Sequence, residues 1–130
     1  MTKFSLITST LGRREPLTRL LRSLEQQTYR NFEIIVVDQN PAGFLDATLA
    51  PFRSTLDLKH LHSPKGLSRG RNAALPEASG DMIGFPDDDC WYRPETLAEL
   101  AELATQYPDY GMLLGRTTDA RGKNSIVRSL

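Results

Sequence analysis

The chain has 130 residues, of which 16 are basic and 16 acidic, so its formal net charge at pH 7 is zero. This length fits one domain, and the balanced charge gives no reason to expect nucleic acid or an acidic membrane surface as a partner. Cys90 is the single cysteine, which excludes a disulfide framework. No apolar run approaches the roughly 20 residues of a transmembrane helix, so we expect a cytoplasmic protein, free or peripheral at the inner membrane face.

The first part of the chain alternates between strand and helix patterns. Residues 3–9 are rich in β-type side chains and predict a strand that ends at a turn near Gly12. Leucines at helical spacing behind Pro16 predict an amphipathic helix that ends near Thr28. The unbroken apolar run of residues 32–38 predicts a strand buried on both faces, as in a parallel sheet.

The middle of the chain continues this alternation. Residues 42–52 are weakly helical, and residues 56–62 alternate as a half-exposed strand does. Residues 67–75 predict a short helix with Ser68 as its candidate cap. The short apolar run of residues 81–85 predicts a further buried strand.

The last third begins with a strong helix signal. Pro94 opens a helix on Leu97 and the apolar positions that follow it, and Pro108 closes it. Residues 110–114 predict a short strand, and residues 116–123 are polar and turn-like.

Strands that alternate with helices at this spacing indicate βαβ units. The predicted class is therefore α/β, with a mostly parallel open sheet of the Rossmann-like type and helices on both faces. The carboxyl ends of parallel strands share one edge of such a sheet, where ligands bind. We expect three groups on that edge: Ser9 with Thr10, Asp38 with Gln39, and the run from Asp87 to Asp89.

The three consecutive carboxylates follow the fourth predicted strand. If the extended backbone continues, Asp87 and Asp89 point to one side and Asp88 to the other. Two convergent carboxylates raise each other's pKa unless a cation compensates, and Mg²⁺ or Mn²⁺ with oxygen ligands fits best. A solvated acidic loop is the more frequent explanation of an isolated aspartate triplet.

Residues 65–71 supply arginines and the start of a helix, which together form a credible anion site. A plain turn into a helix is the alternative, because this glycine spacing is neither a P-loop nor a dinucleotide fingerprint. An anion site opposite a metal-binding carboxylate pair describes a nucleoside diphosphate bridged to the protein by a divalent cation.

Two pairs of side chains have competing interpretations. His60 and His62 lie at alternate positions of one predicted strand, and a metal site would need further ligands that the sequence does not identify. We therefore favour surface or edge-strand histidines. Trp91 and Tyr92 could stack on a sugar, but packing in the core is the more frequent use of such residues.

Four segments in one order resemble the nucleotide-binding half of glycosyltransferase family 2. The resemblance runs from about Lys3 to Leu114, and the segments are specific as a linked set although each alone is weak. They are Ser5-Leu6-Ile7-Thr8-Ser9, the stretch from Gln27 to Asp38, the stretch from Lys65 to Ala74, and Phe85-Pro86-Asp87-Asp88-Asp89 followed by Pro94. The resemblance implies a GT-A fold, a nucleoside-diphosphate sugar as donor and transfer with inversion of the anomeric centre.

The resemblance also implies residue roles on the nucleotide side. Ser9 and Thr10 would contact the nucleoside, and Asp38 would lie beside the base and ribose. Arg71 would approach the base or the diphosphate. Gln39 stands where the family commonly has a second aspartate, so the usual uridine preference is open.

On the metal side, Asp87 and Asp89 match the family's D-x-D motif. Asp89 is implied as the direct ligand of Mg²⁺ or Mn²⁺, and Asp88 lies near the ribose or sugar. The ion would stabilise the departing diphosphate as a Lewis acid.

The acceptor side has no clear counterpart in the sequence. Only 41 residues follow Asp89, and Asp119 is the single carboxylate after Asp109, in a turn-like setting that makes it a poor catalytic base. We therefore expect one donor-binding domain over residues 1–130 that lacks the acceptor-binding half, with the catalytic base unknown. The acceptor, whether glycan, lipid or small molecule, is open, and an exposed sheet edge predicts a homo-oligomer.

Two other functions are compatible with such a domain. The first is a non-catalytic module that binds a nucleotide or nucleotide-sugar. The second is a nucleotidyltransferase, which residues 10–14 disfavour because this turn has one glycine and no glycine-rich signature.

Overall fold

A parallel sheet organises the part of the chain that the structure describes, residues 1–113 and 118 of a computed structural model. Its four strands lie in the order β3-β2-β1-β4, and every neighbouring pair is parallel. The strands are β1 (Phe4–Thr10), β2 (Phe32–Asp38), β3 (Leu58–His62) and β4 (Met82–Gly84). The predicted α/β class and parallel sheet are confirmed.

Helical segments connect the parallel strands. They are α1 (Glu15–Glu25), α2 (Asp46–Leu49) with a 3-10 turn (Ala50–Phe52), α3 (Leu67–Ala74) with a 3-10 turn (Leu75–Glu77), and α4 (Thr96–Gln106). No helix in the described residues is both long enough and apolar enough to cross a membrane.

The larger core lies on the face of the sheet that carries α1, α2 and α4. Four fully buried leucines of α1 pack against alternate residues of β1 and β2, and Leu97 of α4 joins them. Burial of each leucine contributes roughly 1.5–3 kcal/mol relative to exposure. The leucines are Leu17, Leu20, Leu21 and Leu24, and their strand partners are Phe4, Leu6, Ile34 and Val36.

The smaller core lies on the opposite face, beneath α3. Ala74 packs there on Ile7, Ile35 and Val37. All seven residues of β2 are buried because both faces are covered. The predicted helices on both faces are therefore present.

Several predicted details are wrong. Helix α1 ends at Glu25 rather than near Thr28, and the residue before α3 is Gly66, so Ser68 does not cap that helix. Strand β4 has only three residues and leaves Ile83 43% exposed, so it is not a buried strand. Residues 110–113 are not in a strand, and Leu114 and Asp119 lie outside the described residues.

Candidate functional site

A cleft opens at the carboxyl ends of β1 and β4, where the strand order reverses. Such switch points are where open α/β sheets bind ligands. The cleft has a volume of ≈ 280 Å³. It is lined by Ile7, Ser9, Arg13, Leu67, Arg71, Pro86, Asp87, Asp88 and Asp89.

The acidic run after β4 forms a turn instead of continuing as a strand. The Cys90 main-chain N–H donates to the Asp87 carbonyl at 3.1 Å, which closes the turn. The extended backbone on which the predicted pairing of Asp87 with Asp89 depended is therefore absent. Instead, one guanidinium nitrogen, Nη1 of Arg13, lies 3.3 Å from Asp88 Oδ1 and 3.1 Å from Asp89 Oδ2.

The two carboxylates on Arg13 differ in their exposure to water. The side chain of Asp88 is 12% exposed and that of Asp89 is 55% exposed. Burial raises the pKa of the Asp88 carboxyl and the charges of Asp89 and Asp87 add to it, although the neighbouring Thr10 hydroxyl and Arg13 oppose the rise. Arg13 is the cation that compensates the charge of these two carboxylates.

Arg13 provides a direct test of whether a divalent ion fits the acidic turn. Its Nη1 atom occupies the position that a metal ion would take. Asp88 Oδ1 and Asp89 Oδ2 both contact this atom, so two carboxylate oxygens converge on one point. The turn does not bring a third carboxylate within the same short range. Mg²⁺ and Mn²⁺ prefer a few carboxylates completed by ligand phosphates and water, so the residues fit such an ion once a diphosphate is bound.

Cys90 follows the turn and does not contribute a thiolate to it. Burial raises the pKa of the Cys90 thiol to about 11, and the Asp87 and Asp89 carboxylates add to that rise. The thiol is therefore protonated at neutral pH in this environment.

Helix α3 supplies the positive side of the cleft. The Arg71 guanidinium lies 4.7 Å from the centre of the Phe85 ring, a cation–π contact that holds it beside the cleft. Gly66 precedes the helix with φ of 137°, a conformation that favours glycine. Gly70 lets the helix approach the strands, because a Cβ there would overlap the Ser9 hydroxyl.

Three hydroxyl groups lie at the end of β1. The side-chain oxygens of Thr8, Ser9 and Thr10 are buried and have no hydrogen bond of normal geometry within the described residues. Buried polar atoms without partners are costly and rare. Ser9 is also among the residues that line the cleft.

The side chain of Gln39 is used by the protein itself. Its amide nitrogen lies 2.7 Å from the Gly66 carbonyl, 3.1 Å from the Pro64 carbonyl and 3.1 Å from the Ser63 hydroxyl. The amide therefore holds the loop between β3 and α3 in place. From the sequence, Gln39 is predicted only to contact the nucleotide base.

Asp38 is buried at the end of β2 and both of its oxygens have partners. Oδ1 accepts hydrogen bonds from the main-chain N–H and the side-chain amide of Asn40, at 2.9 and 2.8 Å. Oδ2 lies 2.8 Å from His60 Nε2. Burial alone would raise the pKa of Asp38, but the bonds from Asn40 and His60 outweigh it and hold the pKa below its usual value.

Sequence reasoning missed Arg13 as a site residue, because nothing in its local pattern points to carboxylates 75 residues away. It also expected core packing for Trp91, which is 44% exposed and lies under the Arg19 guanidinium. Tyr92 does pack against the core, and burial raises the pKa of its hydroxyl.

The sheet order, the cleft at its switch point and the acidic turn together define an α/β transferase fold of the GT-A type, as the sequence predicts. Residues 5–130 match the family described as Glycosyl transferase family 2. The chain belongs to this family, and the resemblance seen in the sequence is confirmed.

Named relatives are glycosyltransferases. The chain is 31% identical over 112 residues to poly(ribitol-phosphate) beta-N-acetylglucosaminyltransferase TarS of Staphylococcus aureus, covering 82% of this chain and 20% of TarS. It is 30% identical over 100 residues to the uncharacterized glycosyltransferase YwdF of Bacillus subtilis, covering 77% of this chain and 37% of YwdF.

The structural comparison agrees with the sequence comparison. The structure of S. aureus TarS 1-349 in complex with UDP-GlcNAc is 27% identical to this chain with a TM-score of 0.75. The match covers 91% of this chain and 38% of that structure. The chain thus spans between a fifth and two fifths of the length of these relatives.

Proposed function

We propose that this chain is the donor-binding part of a glycosyltransferase and binds a nucleoside-diphosphate sugar in the cleft between β1 and β4. The carrying observation is the charge arrangement of that cleft, in which Arg71 and the start of α3 face the acidic turn. Cationic side chains and a helix N-terminus bind the phosphates of such a ligand, and carboxylates bind the divalent ion that accompanies it. A TarS structure holds UDP-GlcNAc, which supports this ligand class.

Each end of the ligand has proposed partners in the chain. The nucleoside lies against Ser9 and Thr10, whose buried hydroxyls have no hydrogen bond of normal geometry within the described residues. Asp38 and Gln39 border the nucleoside, and because their side chains hold Asn40 and the loop before α3, their contribution is to position this border. Arg71 binds the diphosphate through its guanidinium.

Asp88 and Asp89, whose oxygens converge on Arg13 Nη1, would hold the divalent ion, Mg²⁺ or Mn²⁺, in place of the Asp87–Asp89 pair that the sequence predicts. When bound, the ion supplies Lewis-acid stabilisation of the negative charge on the departing diphosphate. Arg13 leaves the point between Asp88 and Asp89 in this state, and its guanidinium is then free to neutralise the diphosphate.

The proposed reaction is transfer of the sugar to an acceptor hydroxyl with inversion of the anomeric carbon. The hydroxyl oxygen attacks that carbon while the bond to the diphosphate breaks, and the hydroxyl proton passes to a base. That base is not among the residues assigned here. The domain's role is to bind, orient and activate the donor.

Calorimetric titration with UDP, GDP and dTDP, each with Mn²⁺ or with EDTA, tests the proposal. We expect one nucleotide to bind with Mn²⁺ and to bind at least about 10-fold more weakly in EDTA or in Asp89→Asn, because the carboxylate–ion contact is lost. Asp109→Asn, at an exposed aspartate outside the cleft, is the matched control.

A second variant distinguishes the contribution of the divalent ion from that of the Arg13 guanidinium. Arg13→Ala removes the competitor for the carboxylates, so we expect tighter Mn²⁺ binding in the absence of nucleotide. Equal nucleotide affinity in EDTA and Mn²⁺ would contradict the metal-dependent proposal. Metal-dependent binding without transfer or hydrolysis of the sugar would instead identify a non-catalytic nucleotide-sugar module.

A further inference from the structure

A second cluster of metal-ligating side chains lies at the other end of the sheet order, at the carboxyl ends of β2 and β3. Asp38 pairs directly with His62 in the parallel register, and His60 lies two residues earlier on the same strand face. The three side chains therefore project from one face of the sheet. Among the described residues, this is where three such groups offer ligand atoms within 4.8 Å of one another.

The distances between the ligand atoms are close to those of a metal site. Oδ2 of Asp38 lies 2.8 Å from His60 Nε2 and 3.9 Å from His62 Nδ1. A tetrahedral ion with metal–ligand bonds near 2.0–2.2 Å separates its ligands by about 3.3–3.6 Å. The two distances from Asp38 lie on either side of this value, and all three ligand atoms lie within 4.8 Å of one another, so small side-chain movements would bring them to a common ion.

The surroundings favour a fixed site over a chance surface contact. The Asp38 side chain is fully buried and that of His60 is 10% exposed, while His62 at 57% exposed leaves an entry path. Asn40 holds the second Asp38 oxygen with two hydrogen bonds, which orients the carboxylate toward the histidines. Outer hydrogen bonds of this kind orient ligands in metal sites.

We propose that Asp38, His60 and His62 form a binding site for a transition-metal divalent cation, with Zn²⁺ as the best fit. Two imidazoles and one carboxylate suit Zn²⁺, whereas Mg²⁺ prefers oxygen ligands. The site is separate from the acidic turn, since β1 lies between β2 and β4. It would fasten the ends of β2 and β3 together beside the loop that leads to α3.

One neighbouring cation opposes this site and provides a sharp test. Nη2 of Arg53 lies 3.5 Å from His60 Nδ1, and because arginine only donates, Nδ1 accepts and the ring proton is on Nε2. An ion on Nε2 moves that proton to Nδ1, so the exposed Arg53 side chain must turn away. Arg53→Ala should therefore bind Zn²⁺ several-fold more tightly than the unchanged chain.

The experiment is a Zn²⁺ titration of the whole chain without nucleotide, followed by NMR of the imidazole groups. The sequence has two histidines, so the spectrum has two sets of imidazole signals. We expect both sets to shift together up to one Zn²⁺ per chain. Zn²⁺ binding that shifts one set alone, or neither, overturns the proposal.

His62→Ala is the decisive variant, because this side chain is exposed and its loss should not prevent folding. Loss of an outer hydrogen-bond partner in a metal site weakens metal binding by up to roughly 100-fold. Because His62 is a direct ligand in the proposed site, we expect Zn²⁺ to bind His62→Ala at least roughly 100-fold more weakly. Asp89→Asn is the matched control and should leave Zn²⁺ affinity unchanged. If Asp89→Asn removes Zn²⁺ binding and His62→Ala does not, the ion binds the acidic turn and the proposed site is wrong. That outcome would leave the nucleotide titration unaffected as a separate test.

Discussion

Glu33 shows at the scale of one residue how this chain handles a buried charge. It is 1% exposed in β2, and its carboxylate accepts hydrogen bonds from the Ser5 hydroxyl at 2.6 Å and the Ser79 main-chain N–H at 2.7 Å. Lys59 Nζ lies 3.0 Å away. These contacts join β1, β2, β3 and the segment before β4 around one side chain.

The pH dependence of stability follows from this environment. Burial would raise the pKa of Glu33, but the hydrogen bonds from Ser5, Ser79 and Lys59 outweigh it and lower the pKa from 4.5 to about 2. The depressed pKa contributes stability above pH 4.5 that is lost as the pH falls toward 2. The contribution at pH 7 is roughly 3 kcal/mol.

Glu33→Gln should lower the free energy of unfolding at pH 7 by roughly 2–3 kcal/mol, because the amide cannot replace the charge-assisted bonds. The difference from the unchanged chain should shrink as the pH falls from 4.5 to 2. Urea unfolding at several pH values measures it, with Glu102→Gln on the exposed face of α4 as control. A difference that stays constant over this range would mean that the carboxylate charge is not involved.

Some residues of the site could be predicted from the sequence, and others could not. The run from Asp87 to Asp89 is visible as consecutive letters, so its position after a strand could be predicted. The contact of Arg13 with that run could not, because it depends on how the turn after β1 and the turn after β4 face each other. The same holds for Asp38 with His60, since strand pairing alone brings these residues together.

At the scale of elements, Gln27 couples the end of α1 to the start of α4. Helix α4 has no side-chain cap of its own, and the Leu97 N–H in its first turn donates to Gln27 Oε1 at 3.1 Å. The Gln27 amide in turn donates to the Arg93 carbonyl at 2.8 Å and the Ser23 carbonyl at 3.1 Å. A residue just after the end of one helix thus caps the next helix.

Gln27→Leu should cost about 1–3 kcal/mol of stability, since it removes the acceptor of the Leu97 N–H and the bonds that the Arg93 and Ser23 carbonyls accept from the amide. Gln26→Leu is a closely matched control, because Gln26 is the adjacent residue and is exposed. Thermal and urea unfolding of the two variants make the comparison. Equal stability of the two variants would show that the cap has no energetic role.

The predicted elements succeed where burial dictates the pattern. Strand β2 has the bounds that its apolar run predicts, because both of its faces are covered. The predicted burial of β4 is wrong, because β4 is a short strand at the edge of the described sheet and is only partly covered. Residues 110–113 have an apolar composition, and composition without a pairing partner does not make a strand.

At the scale of the molecule, the zero net charge conceals a local separation of charge. The acidic turn lies on one side of the cleft, and Arg71 with the start of α3 lies on the other. The acceptor-binding half and the homo-oligomer stay predictions. The match covers only 20% of TarS, so the activity of full-length TarS is not assigned to this chain.

The most direct test of the donor site is an amide NMR spectrum of the chain with Mn²⁺ and each of UDP, GDP and dTDP in turn, because a paramagnetic ion broadens nearby signals. We expect selective broadening at Leu67, Asp88 and Asp89. The amino ends of the strands at Phe4 and Phe32 should stay sharp, since a seven-residue strand spans about 20 Å. EDTA or Asp89→Asn should restore the cleft signals, whereas broadening elsewhere, or none, would contradict a metal-dependent nucleotide site in this cleft.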